Sequence, residues 1–243
     1  MKKALLTLLL STFLYADNIG GEASIGLYHH TLEGSSSYGA SLEPVNLSDT
    51  LGFSSTQDIF FNLYIEHPFP LFPNVKLSYN NLSHDANKLV KGLSWGEIQN
   101  FSGKTENSLS VNYTDITLYY ELLDNWTEVD AGFTFRSLDG DMSIGTPLAS
   151  DKVSYSTLIP MLYGKLRFNV PSTDISMQVE ANLVSFSGIT SYDYALSARY
   201  SFVMGVGIEA GYKNLYLESD DLVDGLSTDI EFSGPYLLAT WDF

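Results

Sequence analysis

After its first 16 residues this chain alternates apolar and polar side chains with a period of two, and it does so almost to its last atom. The stretch "TDITLYYELLD", Thr114 to Asp124, shows the pattern: Ile116, Leu118, Tyr120 and Leu122 fall on one face, and Asp115, Thr117, Tyr119 and Glu121 on the other. A period of two is the signature of a β-strand whose faces meet different surroundings. The same alternation recurs at residues 23–27, 59–65, 75–79, 129–135, 158–168, 175–183, 194–202, 206–212 and 237–243, which makes ten strands. A helix crossing a bilayer needs about 20 apolar residues in a row, and no such run exists here.

A soluble β-sandwich also alternates, so the connections must decide between the two. Those after the first, third and fifth strands are long and polar (30–57, 83–106, 137–153). Those after the second, fourth, sixth and eighth are short (67–74, 123–127, 169–174, 203–205). Long and short connections at opposite ends, with an even strand count, predict a transmembrane antiparallel up-and-down β-barrel of about ten strands. Both termini then lie at the short-turn, periplasmic end. The last strand, ending "PYLLATWDF", must pair with the first, because an open edge cannot face lipid.

The amino terminus fits export. Lys2 and Lys3 precede an apolar run from Ala4 to Leu14, and Ala16 offers a small residue for cleavage. A signal peptide at 1–16 and a barrel at 17–243 are expected, with the mature chain starting at Asp17. The chain has no cysteine, which excludes a lipoprotein anchor and disulfides. Its 12 basic residues against 29 acidic ones argue against nucleic acid as a partner. The expected location is the bacterial outer membrane. The expected partners are its lipids, lipopolysaccharide and the assembly machinery.

Aromatic residues support this placement. Phe69, Phe72, Trp126, Phe168, Phe202, Trp241 and Phe243 fall at or beside the short-turn ends, where an interfacial girdle would sit. Trp241 and Phe243 lie on the closing strand and are the candidate assembly signal. Gly132, Gly164, Gly207 and Gly211 suit the bending that closes a barrel. The prolines of "PFPLFP", starting at Pro68, predict a stiff turn. Pro160, inside a strand, predicts a bulge.

The Gly20-Gly21 pair, "EHPFPLFPN" (from Glu66), "TDITLYYELLD", "IPMLYGKLRF" (from Ile159) and the terminal "GPYLLATWDF" together resemble the Gly-Gly family of small bacterial outer-membrane β-barrels. The resemblance runs the length of the mature chain in order. It implies an exported barrel of unassigned molecular role, and it brings no catalytic residues and no cofactor.

The candidate site is the inward face. Glu22, Asp58, Glu66, Asp115, Glu121, Asp130, Glu180 and Glu209 share it with Lys76, Arg136, Lys165, Arg167, Arg199 and Lys213. These charges either pair across the lumen as a plug or line a thin acidic passage. Acidic residues Asp139, Asp141, Asp220, Asp221 and Asp224 are expected in outer loops, where divalent cations are candidate ligands. His29 and His30 precede Ser35, Ser36 and Ser37, but no motif joins them into a nucleophile and base, and His67 falls in a turn. The sequence therefore predicts no enzyme. It points to a structural or weakly conducting barrel, with a surface-loop binder or adhesin as the alternative and a lipid A-modifying enzyme as a third reading.

Overall fold

The structure, a computed structural model, describes residues 20–39, 43–69, 71–220, 223 and 225–243. The expected signal segment 1–16, the start at Asp17, Pro70, Asp221 and Asp224 lie outside the described residues.

Among the described residues eleven strands form in chain order: β1 (Gly20–Tyr38), β2 (Val45–Asn46), β3 (Thr56–Glu66), β4 (Asn74–Trp95), β5 (Ile98–Asp124), β6 (Thr127–Gly145), β7 (Ser150–Asn169), β8 (Ile175–Phe186), β9 (Ile189–Ser201), β10 (Val206–Ser219) and β11 (Leu226–Asp242). The two-residue β2 pairs only with β1, through Ser35↔Asn46 and Ser36↔Val45. The other ten run antiparallel, each beside the next, and β11 closes onto β1. Among the described residues the fold is thus an all-β, closed ten-strand barrel. Closure extends to the end of the chain: Ala23 faces Trp241, and Gly21 and Phe243 exchange backbone hydrogen bonds of 2.9 and 3.0 Å. The alternating aromatic terminus is therefore wall, not tail.

Two of the expected long polar loops, 83–106 and 137–153, are a correction. Most of both is strand: β4 continues to Trp95 and β6 to Gly145, while β5 begins at Ile98 and β7 at Ser150; β1 likewise continues to Tyr38, but strand makes up less than half of 30–57. The tips between β4 and β5 and between β6 and β7 are short turns, such as Gly96–Glu97, where Gly96 has φ 57°. The cause lies in the phase of the alternation. On β5, Ile116, Leu118, Tyr120 and Leu122 face outward, yet Leu109, Val111 and Tyr113, an odd number of residues away, face inward and are buried. On β6, Val129, Ala131, Phe133 and Phe135 face outward, and Leu138, Met142 and Ile144 inward. On β10 the change falls between Tyr212 and Leu215.

The barrel wall therefore has two halves of opposite polarity. In the half that holds the termini, apolar side chains point out: Ile25, Phe61, Leu118, Phe133, Leu162, Met177, Leu196, Ile208 and Leu237 are all exposed. In the other half the outside is polar, with Ser83, Asp85, Ser110, Asn112, Ser137, Asp139, Ser154 and Ser233 outward. Its inside is a continuous apolar core around Leu32, Leu82, Trp95, Ile144 and Phe232. From Leu158 to Phe168 the apolar belt rises roughly 25 Å up a tilted wall.

At the terminal end the girdle aromatics meet in pairs: Trp126 with Phe168 at 5.3 Å, Tyr200 with Phe202 at 5.1 Å and Trp241 with Phe243 at 5.2 Å between ring centroids. The glycines do more than permit bending. Gly132 sits inward opposite Tyr119, and a Cβ there would come within 2.1 Å of the Leu118 carbonyl oxygen. Pro160 makes no bulge: it pairs in register with Phe135, and the ladder to β8 has already ended at Leu162↔Leu183. One flank of Pro160 thus has no ladder to lose.

Candidate functional site

The lumen of the belt half holds the charges, and strand alternation alone puts them there: each lies one residue from a lipid-type side chain on the outer face. Nearest the termini, the Glu22 carboxylate accepts from Arg199 at 2.7 Å and Arg167 at 3.2 Å. Arg199 also reaches Asp242 at 2.7 Å, and Arg167 lies 3.6 Å from Glu128. In the next layer Lys165 donates to Asp130 at 2.9 Å, and Lys76 pairs with Glu180, which also accepts from the Tyr64 hydroxyl at 2.7 Å. Tyr119 donates to Glu66 at 3.1 Å, and Asn74 to Glu121 at 3.2 Å.

The highest ionic layer centres on Arg136. Its Nε and Nη2 donate in parallel to Asp115 at 2.8 and 2.7 Å, and Nη2 also reaches Asp193 at 2.6 Å. The Tyr113 ring lies 4.2 Å from the guanidinium carbon. Lys213 donates to Asn80 at 2.6 Å, and Glu209 accepts from the Tyr236 hydroxyl at 2.7 Å. Asp58 accepts from or shares a proton with His30 at 3.0 Å. Ions taken out of water are tolerable only when paired and hydrogen-bonded, and a bidentate guanidinium–carboxylate fork meets that demand best.

All fourteen charges named as the candidate site thus lie on the lumen side of their strands, and the structure brings most of them together in pairs. Sequence reasoning left out Asp193, which faces inward between outward Tyr192 and Tyr194, and Asp242, one residue from outward Trp241. Their alternation carried the signal. It also left out the tyrosine layer of Tyr64, Tyr119 and Tyr163, whose rings pack across the lumen and bring hydroxyls to Glu180 and Glu66. A cavity of about 50 Å³ lies among Asn80, Tyr113, Asp115, Arg136, Asp193 and Lys213. The Tyr113 hydroxyl and Arg136 Nη1, which belong to two of its lining residues, have no hydrogen-bond partner among the described residues.

Above the ions, the segment 43–55 between β1 and β3 folds inward, and Leu47, Leu51 and Phe53 are fully or almost fully buried in the apolar core. The Leu47 amide donates to the Gly34 carbonyl at 3.0 Å, and Asn107 Nδ2 donates to the Leu51 carbonyl at 2.7 Å. The segment is a stopper seated on the polar lumen.

The other candidate chemistry disperses. His29 faces outward, His30 contacts Asp58 and His84, and Ser36 donates to the Ser227 carbonyl rather than to a histidine. His67 contacts the Pro73 carbonyl within its turn. Asp139 and Asp141, expected in a loop, stand on the outer face of β6. Asp141 accepts from Ser154 at 2.5 Å and pairs with Lys152 at 2.9 Å, and these contacts hold its carboxyl below the usual range. Among the described residues no three metal-ligating side chains cluster.

No family model matches this chain, and no curated protein matches it significantly. The Gly-Gly likeness therefore rests on the sequence stretches alone. Among solved structures, the chain is similar to the attachment invasion locus protein Ail of Yersinia pestis, at 10% identity and a TM-score of 0.41, over 93% of this chain and 100% of that one. A FadL homologue of Pseudomonas aeruginosa gives 10% identity and 0.34, over 93% and 90%. The P. putida toluene transporter TodX gives 9% and 0.31, over 96% and 91%. Likenesses this remote assign no role.

Proposed function

We propose that this chain is an integral outer-membrane barrel that is closed to solutes and serves as a structural, surface-projecting element. One observation carries the reading: the polarity of the wall inverts along the strands. An apolar outside with an ion-filled inside suits lipid. A polar outside with an apolar inside suits water. Two seals of unlike chemistry, paired ions and then an apolar stopper, stand in series and favour the structural reading over the weakly conducting one.

The water-suited half also supports the binding alternative. On β5 the segment 98–112 extends beyond the belt, which raises the wall roughly 35 Å further at the usual strand tilt. Its polar outer face, rich in serine, asparagine and carboxylates, is the surface a partner would meet. The outer-membrane lipids and the assembly machinery remain proposed partners, the latter through Trp241 and Phe243. Divalent cations at the acidic outer surface also remain a proposal.

The inversion is testable position by position, because the chain has no cysteine of its own. Single cysteines along β5, spin-labelled in vesicles, should meet oxygen in lipid at 116, 118, 120 and 122. At 108, 110 and 112 they should meet a water-soluble relaxation agent instead. Labels at 108–112 that report lipid would overturn the reading. So would recovery of the mature protein in the soluble periplasmic fraction.

A further inference from the structure

Between the ionic lumen and the apolar stopper lies a buried pair of histidines that neither seal requires. His30 on β1 is 0% exposed and His84 on β4 is 3% exposed. Their rings sit 4.9 Å apart, with Phe232 against both and Phe53 against His84. A single chain of contacts runs through them. His84 Nδ1 lies 2.8 Å from the Ser54 carbonyl oxygen, His84 Nε2 lies 3.2 Å from His30 Nδ1, and His30 Nε2 lies 3.0 Å from Asp58 Oδ2. Asp58 is fixed in turn by the Ser83 amide at 2.9 Å.

The chain counts protons. Its ends, a carbonyl and a carboxylate, only accept. Three contacts need three protons, and two neutral imidazoles bring two N–H groups. One further proton completes the chain, with His30 donating at both nitrogens and Asp58 balancing its charge. A second has no place: it sets an N–H against an N–H across the contact between the rings and puts two cations side by side in an apolar core. His84 holds Ser54, the residue that follows the stopper residue Phe53, so a displaced His84 pulls on the stopper.

We propose that the His30–His84 pair is a proton-operated latch on the inward-folded segment 43–54, closed near neutral pH and released when the second proton enters. The charged and titratable groups around it are Tyr28 on β1, whose ring lies 4.7 Å from that of His30, Asp58 on β3, Asp85 on β4 and Lys213 on β10; the faces offered by Phe53 and by Phe232 on β11 are apolar. Both rings stand above the apolar belt, where the outward neighbours are His29, Thr31, Ser83 and Asp85. Burial there holds both histidines below their ordinary range. A histidine whose folded value is lowered stabilises the docked state above its free value of about 6.5 and loses that contribution as pH falls below it. Release therefore belongs to acid, not to alkali.

The test is amide hydrogen exchange on the full-length mature protein in detergent, at pH 7.5 and pH 5.0, corrected for the intrinsic pH dependence of exchange. The expected result is at least a tenfold loss of protection at Leu47, whose amide ties the stopper to β1, with no change at Thr117 and Thr134 in the belt. The loss should vanish in His84→Gln and in His30→Gln, since a neutral amide takes no second proton. Nitrogen NMR of the imidazoles in the unmutated protein guards against variants that fail to fold: the loss must follow the second imidazole protonation. Equal protection at both pH values overturns the latch. A loss that persists in both variants, or one that does not follow imidazole protonation, overturns it too.

Discussion

Replacing Arg136 by methionine removes the guanidinium and keeps most of the chain length. In the structure Arg136 is 1% exposed and is the only cation within 4 Å of Asp115 and Asp193 among the described residues. Asp193 would retain the Asn182 amide at 3.1 Å, but Asp115, 4% exposed, would lose both prongs of the fork. Breaking a buried pair by deleting one partner costs about 3–5 kcal/mol, because the other charge stays buried and uncompensated. Two carboxylates are stranded here, so Arg136→Met should reach at least the lower end of that range. The control is Lys152→Met: Lys152 pairs with Asp141 at the surface, with the two side chains 59% and 49% exposed, and such pairs are worth about 0–1 kcal/mol. Urea unfolding in lipid vesicles, followed by tryptophan fluorescence, measures both. Adding Asp115→Asn to Arg136→Met should restore part of the loss by removing one stranded charge. If Arg136→Met costs less than about 1 kcal/mol, water reaches this layer and the dry ionic seal is refuted.

Gly132→Val should reduce stability by about 1–3 kcal/mol, since the new side chain is driven into the backbone of Leu118 and Tyr119; a neutral effect in the same urea series would contradict the close approach. Leu109→Asp, inward in the outer half, should cost several kcal/mol and expose the outer strands to external protease, whereas Ser110→Asp, outward, should do neither. Equal protease sensitivity of the two would remove the case for an apolar core above the belt. Trp241→Asp, or deletion of Phe243, should abolish heat-modifiable migration on gels, the sign of a closed barrel, and normal migration would show that the terminal aromatics are dispensable.

The belt half of the fold was legible because its side chains obey one rule in one phase. Leu118 out and Tyr119 in follow from parity alone, and parity placed Arg136, Glu180 and Arg199 in the lumen. The outer half resembles loop in the sequence because the rule continues there with its phase reversed. Between Tyr113 and Ile116 the apolar residues are three apart, an odd step that a single-phase template scores as a break. Strands 98–106 and 137–145 then look like polar loop, although Leu138, Met142 and Ile144 keep a strict alternation. Asp139 and Asp141 were misplaced for the same reason. The pairing of Arg136 with Asp115 was half visible, since the two are direct cross-strand neighbours once β5 and β6 are registered. Its second partner, Asp193, lies on β9 and becomes a neighbour only when the barrel closes. The stopper and the histidine pair were not legible at all. They depend on a connection folding inward and on His30 and His84, 54 residues apart, sharing one level of the lumen.

The central claim is that this barrel is sealed twice, by paired ions and by an apolar stopper. Single-channel recording of the refolded, mature protein in planar bilayers at pH 7.5 tests it most directly. The structure predicts insertion, verified by heat-modifiable migration of the same sample, with no conductance steps above the bare bilayer. Regular, ohmic steps from that sample would contradict it, and a cation preference in those steps would make the inward carboxylates the lining of an open passage.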